Sequence, residues 1–468
     1  MYRNISRFLR LPYCRNNNTS TLYIGKKKIT TSSTRTATKN NINNKKKNNS
    51  MTNLVTSSFE STGLNSAIVK PWDIQQDVYP SSRALNDGFE LSIAPMMKQT
   101  DFHFHYLMRH FTKHTRLYTE MIVDDTILHQ LENLKKFIGY NKNTHPITVQ
   151  LGGNDPEKLA KAAKICEEWG YDEINLNVGC PSSRVSKKCF GARLMLYPEI
   201  VKECCAAMKR VVQVPVTVKC RLGADDVDSY EDLVNFVNIV NEAGVKHYII
   251  HARKCLLDGL STQENRRIPK LNYERVYRLA NDFKDNDFSI NGGIKTLEES
   301  LKFREKKMKC DDSNSFNNLN RSCSAKNEEE EEEVKEETTI QQEMIERNQL
   351  RGVMIGRGAW STPFMFANAD KLIYGEKNPG ISRREALHSY IEYAEYQMSL
   401  DARNTSRQRL SIKTLMKPCM NLFKGEPGGN LFRRRIDEGI NIKKLSNIRE
   451  IVLNAMEEVD QEAVDRTF

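Results

Sequence analysis

The stretch from Asp172 to Met195 reads D-E-I-N-L-N-V-G-C-P-S-S-R-V-S-K-K-C-F-G-A-R-L-M, and it decides the fold prediction. Glu173 to Val178 alternates apolar and polar residues, which predicts a short strand. The residues Gly179 to Ser182 that follow are turn formers and end that strand, so Cys180 is presented where the strand stops. Enzymes built on parallel barrels hold their chemistry at this end of each strand.

The same alternation recurs from Glu90 onward. Eight short apolar runs are found at Leu91–Met96, Leu117–Ile122, Ile147–Leu151, Glu173–Val178, Val216–Cys220, His247–His251, Phe288–Asn291 and Gly352–Ile355. Helical spacing separates most of them, as at Pro156–Trp169, Glu199–Val211, Tyr230–Ala243 and Tyr273–Phe283. Eight such units predict a TIM (β/α)8 barrel over residues 88–375, with a doubly wound sheet as the alternative.

The ends of these runs carry residues that a plain structural strand does not need. They are Ala94, Pro95 and Met96; Gln150; Asn177 and Cys180; Lys219 and Arg221; His251 and Arg253; Asn291, Gly292 and Gly293; and Gly356 with Arg357. Alone, Lys219 is most simply a solvated side chain, His251 a core histidine and Gly292–Gly293 a turn. Together the glycines of runs seven and eight occupy the corner where many barrels bind phosphate through backbone N–H groups.

Composition points to a large folded unit with added segments. The chain has 468 residues, of which 39% are hydrophobic, and a net charge of +11. No apolar run approaches the roughly 20 residues that a membrane-spanning helix needs. Eleven cysteines occur without a C-x-x-C pair, so we expect neither a structural zinc site nor a disulfide framework, and no metal.

Two segments do not have the composition of a folded domain. Residues 1–80 begin with a basic amphipathic stretch, and residues 1–59 hold twelve Lys/Arg and no acid. This pattern predicts a disordered transit peptide for the mitochondrion or plastid; a low-complexity leader on a cytoplasmic protein is the alternative, and Met51 is a second candidate start. Residues 304–350 form an acidic insert before the eighth run, which we expect on the face opposite the active site as a solvated loop rather than a binding tail.

A helical region is predicted at residues 380–460. Arg383–Leu400 and Leu445–Val459 have helical apolar spacing. Between them lie basic residues interleaved with Phe423 and Phe432, namely Lys413, Lys417, Lys424, Arg433, Arg434 and Arg435. This pattern fits either a solvated helix face or a surface for RNA phosphates and bases.

Several of these segments resemble the tRNA-dihydrouridine synthases, in particular their A-type branch, the tRNA-dihydrouridine(20/20a) synthase-like proteins. The resemblance rests on S-I-A-P-M-M, L-Y-T-E-M, Y-D-E-I-N-L-N-V-G-C-P-S, I-I-H-A-R-K, L-S-T-Q-E-N-R-R-I-P, S-I-N-G-G-I-K and M-N-L-F-K-G. It implies a flavoprotein that uses FMN, with NADPH as reductant, to reduce D-loop uridines at positions 20 and 20a of tRNA. No obligate protein partner is implied.

The resemblance also assigns roles to residues. It implies that Cys180 donates the proton that uracil C5 receives after hydride transfer to C6. The FMN contacts would be Ala94, Pro95, Met96, Gln150, Lys219, His251, Asn291, Gly292, Gly293, Gly356 and Arg357. The RNA contacts would be Asn177, Arg253, Asn265, Arg266, Lys424, Arg433 and Arg434.

Two other classes of function stay open from the residues. A dihydroorotate dehydrogenase-like FMN barrel would act on a free pyrimidine and would not need the basic C-terminal helices. A non-catalytic RNA-binding protein would need those helices but not Lys219, His251 and the glycine corner together.

Overall fold

Eight parallel strands close into a barrel in the computed structural model, which describes residues 88–182, 185, 189–305, 350–402, 410–442 and 447–468. The strands are β1 Glu90–Ile93, β2 Arg116–Val123, β3 Ile147–Gly152, β4 Glu173–Asn177, β5 Val216–Arg221, β6 His247–His251, β7 Asp287–Asn291 and β8 Gly352–Ile355. Each strand pairs with the next, and β1 pairs with β8. The predicted TIM barrel is confirmed, and the doubly wound alternative is wrong. The predicted leader lies outside the described residues, as do residues 306–349 of the predicted insert.

Helices follow the strands along the described chain. They are α1 Phe102–Phe111, α2 Asp124–His129, α3 Leu134–Ile138, α4 Pro156–Glu168, α5 Pro198–Lys209, α6 Tyr230–Asn241, α7 Glu274–Asp282, α8 Leu297–Glu305, α9 Arg357–Ser361 and α10 Ala369–Tyr374. Their starts have local causes. Asp155 accepts hydrogen bonds from the N–H groups of Glu157 and Lys158 before α4, and Ser229 forms a capping box with Asp232 in α6.

The barrel interior contains polar layers as well as apolar ones. Glu173 on β4 is buried, and its Oε1 accepts hydrogen bonds from Tyr118 Oη at 3.0 Å and from Thr217 Oγ1 at 2.8 Å. These bonds compensate for burying a carboxyl group. The strand register then places Gln150 beside Asn175 and Asn177 beside Lys219, nearer the carboxyl ends of the strands. The site is therefore built on a rigid, hydrogen-bonded floor.

A helical region follows the barrel. It contains α11 Arg383–Ala402, α12 Ile412–Met416, α13 Gly429–Asp437, α14 Ile448–Met456 and α15 Gln461–Asp465. Arg383 is buried and joins its parts, because its guanidinium donates to Leu422 O at 3.0 Å, Ala463 O at 2.7 Å and Glu426 Oε1 at 2.7 Å. No helix in the described ranges combines the length and the apolar character that a membrane crossing requires.

The helical region adjoins the end of the barrel where the strands finish. Asn421 Nδ2 donates to the carbonyl of Trp360, which lies in α9 just after β8, at 2.9 Å. Tyr393 of α11 stacks on Tyr106 of α1, with ring centroids 3.9 Å apart. A ligand too large to enter the barrel could therefore contact this region while one of its groups reaches the barrel mouth.

Candidate active site

Three amides form a chain across the ends of β3 and β4. Asn177 Nδ2 donates to Gln150 Oε1 at 2.7 Å, Gln150 Nε2 donates to Asn175 Oδ1 at 2.8 Å, and Asn175 Nδ2 donates to Thr217 Oγ1 at 2.9 Å. All three amides are buried. The chain fixes the orientation of each amide, and an NH₂ group has two donors, so Gln150 and Asn177 each keep one N–H for a ligand.

The same Asn177 shapes the loop that carries Cys180. Its Oδ1 accepts from the backbone N–H of Gly179 at 3.2 Å and of Cys180 at 2.9 Å. The Cys180 carbonyl accepts from Ala192 N at 2.9 Å. Gly191 makes this contact possible, since it has φ +70° and a Cβ there would lie 2.7 Å from the Cys180 oxygen. The thiol is thus held at the end of β4, where the sequence pattern predicts it.

The environment of Cys180 suits a proton donor. Among the described cysteines only Cys180 and Cys189 are not buried. Partial burial raises the pKa of the Cys180 thiol, while the Ser182 N–H and the charges of Arg221, Arg266 and Lys219 oppose that rise. The thiol is therefore protonated at neutral pH, as a general acid must be.

Lys219 is a half-buried cation whose hydrogen bond is to a neutral group. Its Nζ donates to Asn291 Oδ1 at 3.0 Å, and Asn291 Nδ2 donates to Met354 O at 2.8 Å. No carboxylate of the described residues pairs with it, and burial lowers its pKa to about 8. A charge that is partly removed from water is costly without a counterion, so this position fits an anionic ligand atom such as a reduced flavin ring presents.

A glycine corner lies beside it. Gly292 and Gly293 have φ of +110° and +78°, which side-chain-bearing residues rarely adopt. A Cβ on Gly292 would lie 2.6 Å from His251 Cδ2, and one on Gly293 would lie 2.6 Å from Tyr273 Oη. Burial and the neighbouring cations hold the pKa of His251 well below its usual value, so its ring is neutral. The backbone stays bare here, which suits close approach by a phosphate.

The ends of β8 and β1 complete this wall. Arg357 follows Gly356 and is exposed, with Nη2 3.4 Å from the Arg266 carbonyl.

The turn after β1 is also held by hydrogen bonds. Ala94 N donates to Ile355 O at 2.8 Å, and Thr100 bonds both the N–H and the carbonyl of Met96. Pro95 lies between Ala94 and Met96 in this turn. The residues predicted for FMN therefore surround one mouth and fit a flavin mononucleotide. The half-buried Lys219, which has no carboxylate partner among the described residues, fits the ring, and bare backbone plus Arg357 fits the phosphate.

The loop after β6 brings further arginines to the mouth. The Nε atoms of Arg253 and Arg266 are buried and have no hydrogen-bond partner among the described residues. Arg253 Nη1 donates to the carbonyl of Pro269. Burial and nearby cations, Arg357 among them, lower the pKa of both guanidinium groups. Two donors that lack partners in this part of the chain fit a polar or anionic ligand.

The structure argues against one predicted RNA contact. Asn265 is fully buried, and its Oδ1 accepts from Leu256 N at 2.8 Å while Nδ2 donates to Leu256 O at 2.8 Å and Leu260 O at 3.3 Å. All of its side-chain hydrogen-bonding groups thus serve the β6 loop. Asn265 shapes the loop that carries Arg266 and does not reach the surface.

The predicted basic residues of the helical region are exposed. Lys424, Arg433 and Arg434 all lie at the surface. Arg434 already forms an ion pair, because its Nε lies 2.7 Å from Glu438 Oε1. Arg433 forms no ion pair among the described residues and is the freer cation of the two. Their role as RNA contacts stays a prediction.

Arg221 is a residue of this site to which the sequence pattern assigned no role. It is 2% exposed, although it carries a permanent charge, and its guanidinium reaches carbonyls on both sides of the mouth. The signal is present in V-T-V-K-C-R, where the arginine, like Lys219 two residues before it, places a charge inside an apolar strand.

The chain matches known proteins over most of its length. The family model for dihydrouridine synthase (Dus) matches residues 92–312 and 333–459. The tRNA-dihydrouridine(20/20a) synthase of Vibrio parahaemolyticus is 40% identical over 373 residues, which cover 80% of this chain and 97% of that protein. The protein of the same name from Synechocystis is 40% identical over 74% of this chain and 88% of its own length. A solved 2-naphthoyl-CoA reductase complex, at 8% identity over 64% of this chain and 51% of that one, has a TM-score of only 0.39.

Proposed function

This chain belongs to the dihydrouridine synthase family, and we propose that it reduces uridines 20 and 20a in the D-loop of tRNA with FMN and NADPH. The relatives' names supply the positions. The observation that carries the proposal is the joint placement of a protonated thiol, Cys180, and a half-buried cation, Lys219, that has no carboxylate partner among the described residues, at one barrel mouth.

The residues would divide the work as follows. Bound FMN, once reduced by NADPH, supplies the hydride for uracil C6. Lys219 would offset negative charge on the flavin ring, and Gly292, Gly293 and Arg357 would hold the phosphate. Gln150 offers its remaining N–H to the pyrimidine edge of the ring. These residues bind and orient the cofactor and leave the mouth open for the base.

Cys180 would complete the reaction by protonating C5. Addition of hydride at C6 leaves the electron pair of the former double bond at C5, and that pair takes the thiol proton. The resulting thiolate recovers a proton from solvent, so the net change is one hydride and one proton added to uridine. The thiol pKa, raised by burial, keeps the proton in place before the hydride arrives.

The uridine must leave the folded RNA to reach the thiol. Asn177 keeps one N–H for a uracil carbonyl, and Arg253 and Arg266 offer the unpartnered Nε donors. Burying these donors against the base would repay part of the cost of unstacking it, which is a few kcal/mol. Recognition then depends on polar contacts at the mouth and on phosphate contacts outside it.

Docking of the tRNA is assigned to the helical region, which gives a first prediction. Changing Arg433 and Arg434 to Ala should weaken tRNA binding and flatten the dependence of log K on log salt by up to about one for each phosphate that the variant no longer binds. A salt titration of tRNA binding measures this slope. The matched control is Lys161→Ala with Lys302→Ala, which removes two exposed positive charges from outer helices of the barrel. If the control variant flattens the salt slope as much as the Arg433, Arg434 variant does, the effect comes from the net charge of the protein and not from a specific contact at this surface.

The function itself has a direct test. Purified enzyme with NADPH and unmodified tRNA should convert uridine to dihydrouridine at positions 20 and 20a, read by mass spectrometry of nuclease fragments. If dihydrouridine forms only elsewhere in the tRNA, the proposed reaction stands but its assignment to positions 20 and 20a is wrong. Reduction of free orotate or uracil without tRNA turnover would favour the dihydroorotate dehydrogenase-like alternative, which the family match leaves without support.

A further inference from the structure

Arg221, the last residue of β5, is a buried cation with no carboxylate partner among the described residues. It is 2% exposed. Its Nε donates to Gly179 O at 2.9 Å, and its Nη1 donates to Lys254 O at 3.0 Å and to Asn265 O at 3.1 Å. Burying an unpaired ion is unfavourable, and an apolar side chain of similar volume would avoid that penalty. Packing alone therefore does not account for an arginine here.

The three carbonyls belong to two different loops of the mouth. Gly179 directly precedes Cys180, whereas Lys254 and Asn265 belong to the β6 loop that carries Arg253 and Arg266. Gly179 has no side chain, and a Cβ there would lie 3.5 Å from the Cys220 backbone, so the β4 loop rests directly on β5. Arg221 thus fixes the distance between the loop with the thiol and the loop with Arg266.

The charge of Arg221 also faces the thiol. The cations that oppose the rise in the Cys180 pKa are Arg221, Arg266 and Lys219, with Arg221 the largest of the three effects. The other titratable neighbours of Arg221 contribute little charge of their own. His251, its register partner on β6, is neutral, and burial raises the pKa of Cys255 to about 11. Arg253 is a further cation on the same side.

We propose that Arg221 is a positioning residue for uridine reduction: it locks the Cys180 loop to the loop carrying Arg266 and places a fixed positive charge beside the thiol. This rests on the proposed function, in which Cys180 is the proton donor. The bonds set where the proton lies relative to the base, and the charge stabilises the thiolate left behind when the proton is given up.

The test compares Arg221→Lys and Arg221→Met. A lysine cannot span three carbonyls in two loops, so both variants should lose about 10²-fold in kcat for tRNA reduction, the usual cost of a misplacement of about 1 Å. A protonated thiol is needed, so the rate falls as pH rises through the Cys180 pKa. Removing the nearby cation raises that pKa, and the alkaline limb of the Arg221→Met profile should move to higher pH.

Two reference variants make the result decisive. Cys180→Ser shows which group causes the alkaline limb of the pH profile. A serine hydroxyl does not titrate in this range, so the limb should disappear if it comes from Cys180 and persist if it comes from Lys219. Arg109→Met is the matched control, since Arg109 also donates to carbonyls, those of Thr112 and Thr144 at 2.8 Å, but beside the start of β2 at the opposite end of the barrel. It should keep both kcat and the limb.

The inference is overturned if either Arg221 variant keeps kcat within about twofold of the wild type. It is also overturned if the limb persists in Cys180→Ser, or if Arg109→Met shows the same loss. Arg221→Lys keeps the test valid if Arg221→Met does not fold. Failure of the proposed function gives a different result. If Cys180→Ala is fully active, Cys180 is not the proton donor and the proposed mechanism fails. If Cys180→Ala is inactive but both Arg221 variants are normal, only the role proposed for Arg221 fails.

Discussion

Replacing Cys180 with Ala should lower the rate of tRNA uridine reduction by about 10² to 10⁴-fold, the usual cost of losing a general acid. The loss should fall on kcat, because the thiol acts on C5 only after the base is bound. Asn177 keeps its bonds to the Gly179 and Cys180 backbone, which the substitution leaves in place, so the loop should keep its shape. Single-turnover oxidation of reduced enzyme by tRNA measures the chemical step directly.

Cys189 offers the matched control for this prediction. It is the other described cysteine that is not buried, and its carbonyl accepts from Asn154 Nδ2 at 3.4 Å, a backbone bond that Cys189→Ala retains. Cys189→Ala should keep the wild-type rate. A Cys180→Ala enzyme that turns over tRNA normally would exclude the thiol as proton donor, and a loss in Cys189→Ala alone would move that role to the second thiol.

The barrel was predictable because its signal is local and repeated. Seven of the eight apolar runs begin and end within one residue of an observed strand, as at His247–His251 and Gly352–Ile355, while Leu91–Met96 runs three residues beyond the end of β1. That overrun has a physical cause. Pro95 has no N–H to donate to a strand ladder, so β1 stops at Ile93 although the apolar residues continue.

Side-chain partners were not predictable in the same way. Asn265 and Asn177 are both polar residues beside loops, and both were predicted to contact RNA. The side chain of Asn265 instead forms all its hydrogen bonds to the β6 loop. Asn177 accepts hydrogen bonds from the Cys180 loop through Oδ1 and keeps one N–H for a ligand. Which atoms are already bonded depends on contacts between strands and loops distant in sequence. Composition and spacing do not carry that information.

The same limit applies to charges. Lys219 and Arg221 lie two residues apart on β5, yet one is bonded to an amide and the other to three carbonyls. On a strand, residues i and i+2 face the same side, so the pattern places both on one face of β5. The sequence pattern cannot reveal that Lys219 and Arg221 both lack a carboxylate partner among the described residues. The proposed roles of Lys219 and Arg221 both rest on that observation.

The cofactor assignment predicts that Lys219→Met combined with Arg357→Ala releases FMN. Each residue would supply a charge-assisted hydrogen bond worth about 1.5 to 3 kcal/mol, so the pair should weaken binding by about 10² to 10⁴-fold. Flavin absorbance of the purified protein and titration with FMN measure the loss. The Lys161→Ala, Lys302→Ala protein, with the same change in net charge, should stay yellow, and a double variant that keeps a full complement of flavin would reject both contacts.

Lys219 also gives this assignment a pH signature. Its pKa of about 8 before ligand binding means that the ammonium form, which pairs with an anionic ring, is present below that pH and is lost above it. An anionic partner raises the pKa of the lysine, so binding takes up a proton above pH about 8. Affinity for reduced FMN should therefore fall as the pH rises through 8 and beyond. In Lys219→Met this fall should disappear, while the contribution of Arg357 to binding should remain. If the single variant Lys219→Met retains the same decline in affinity above pH 8, another group titrates against the flavin, and the lysine is not the partner of the reduced ring.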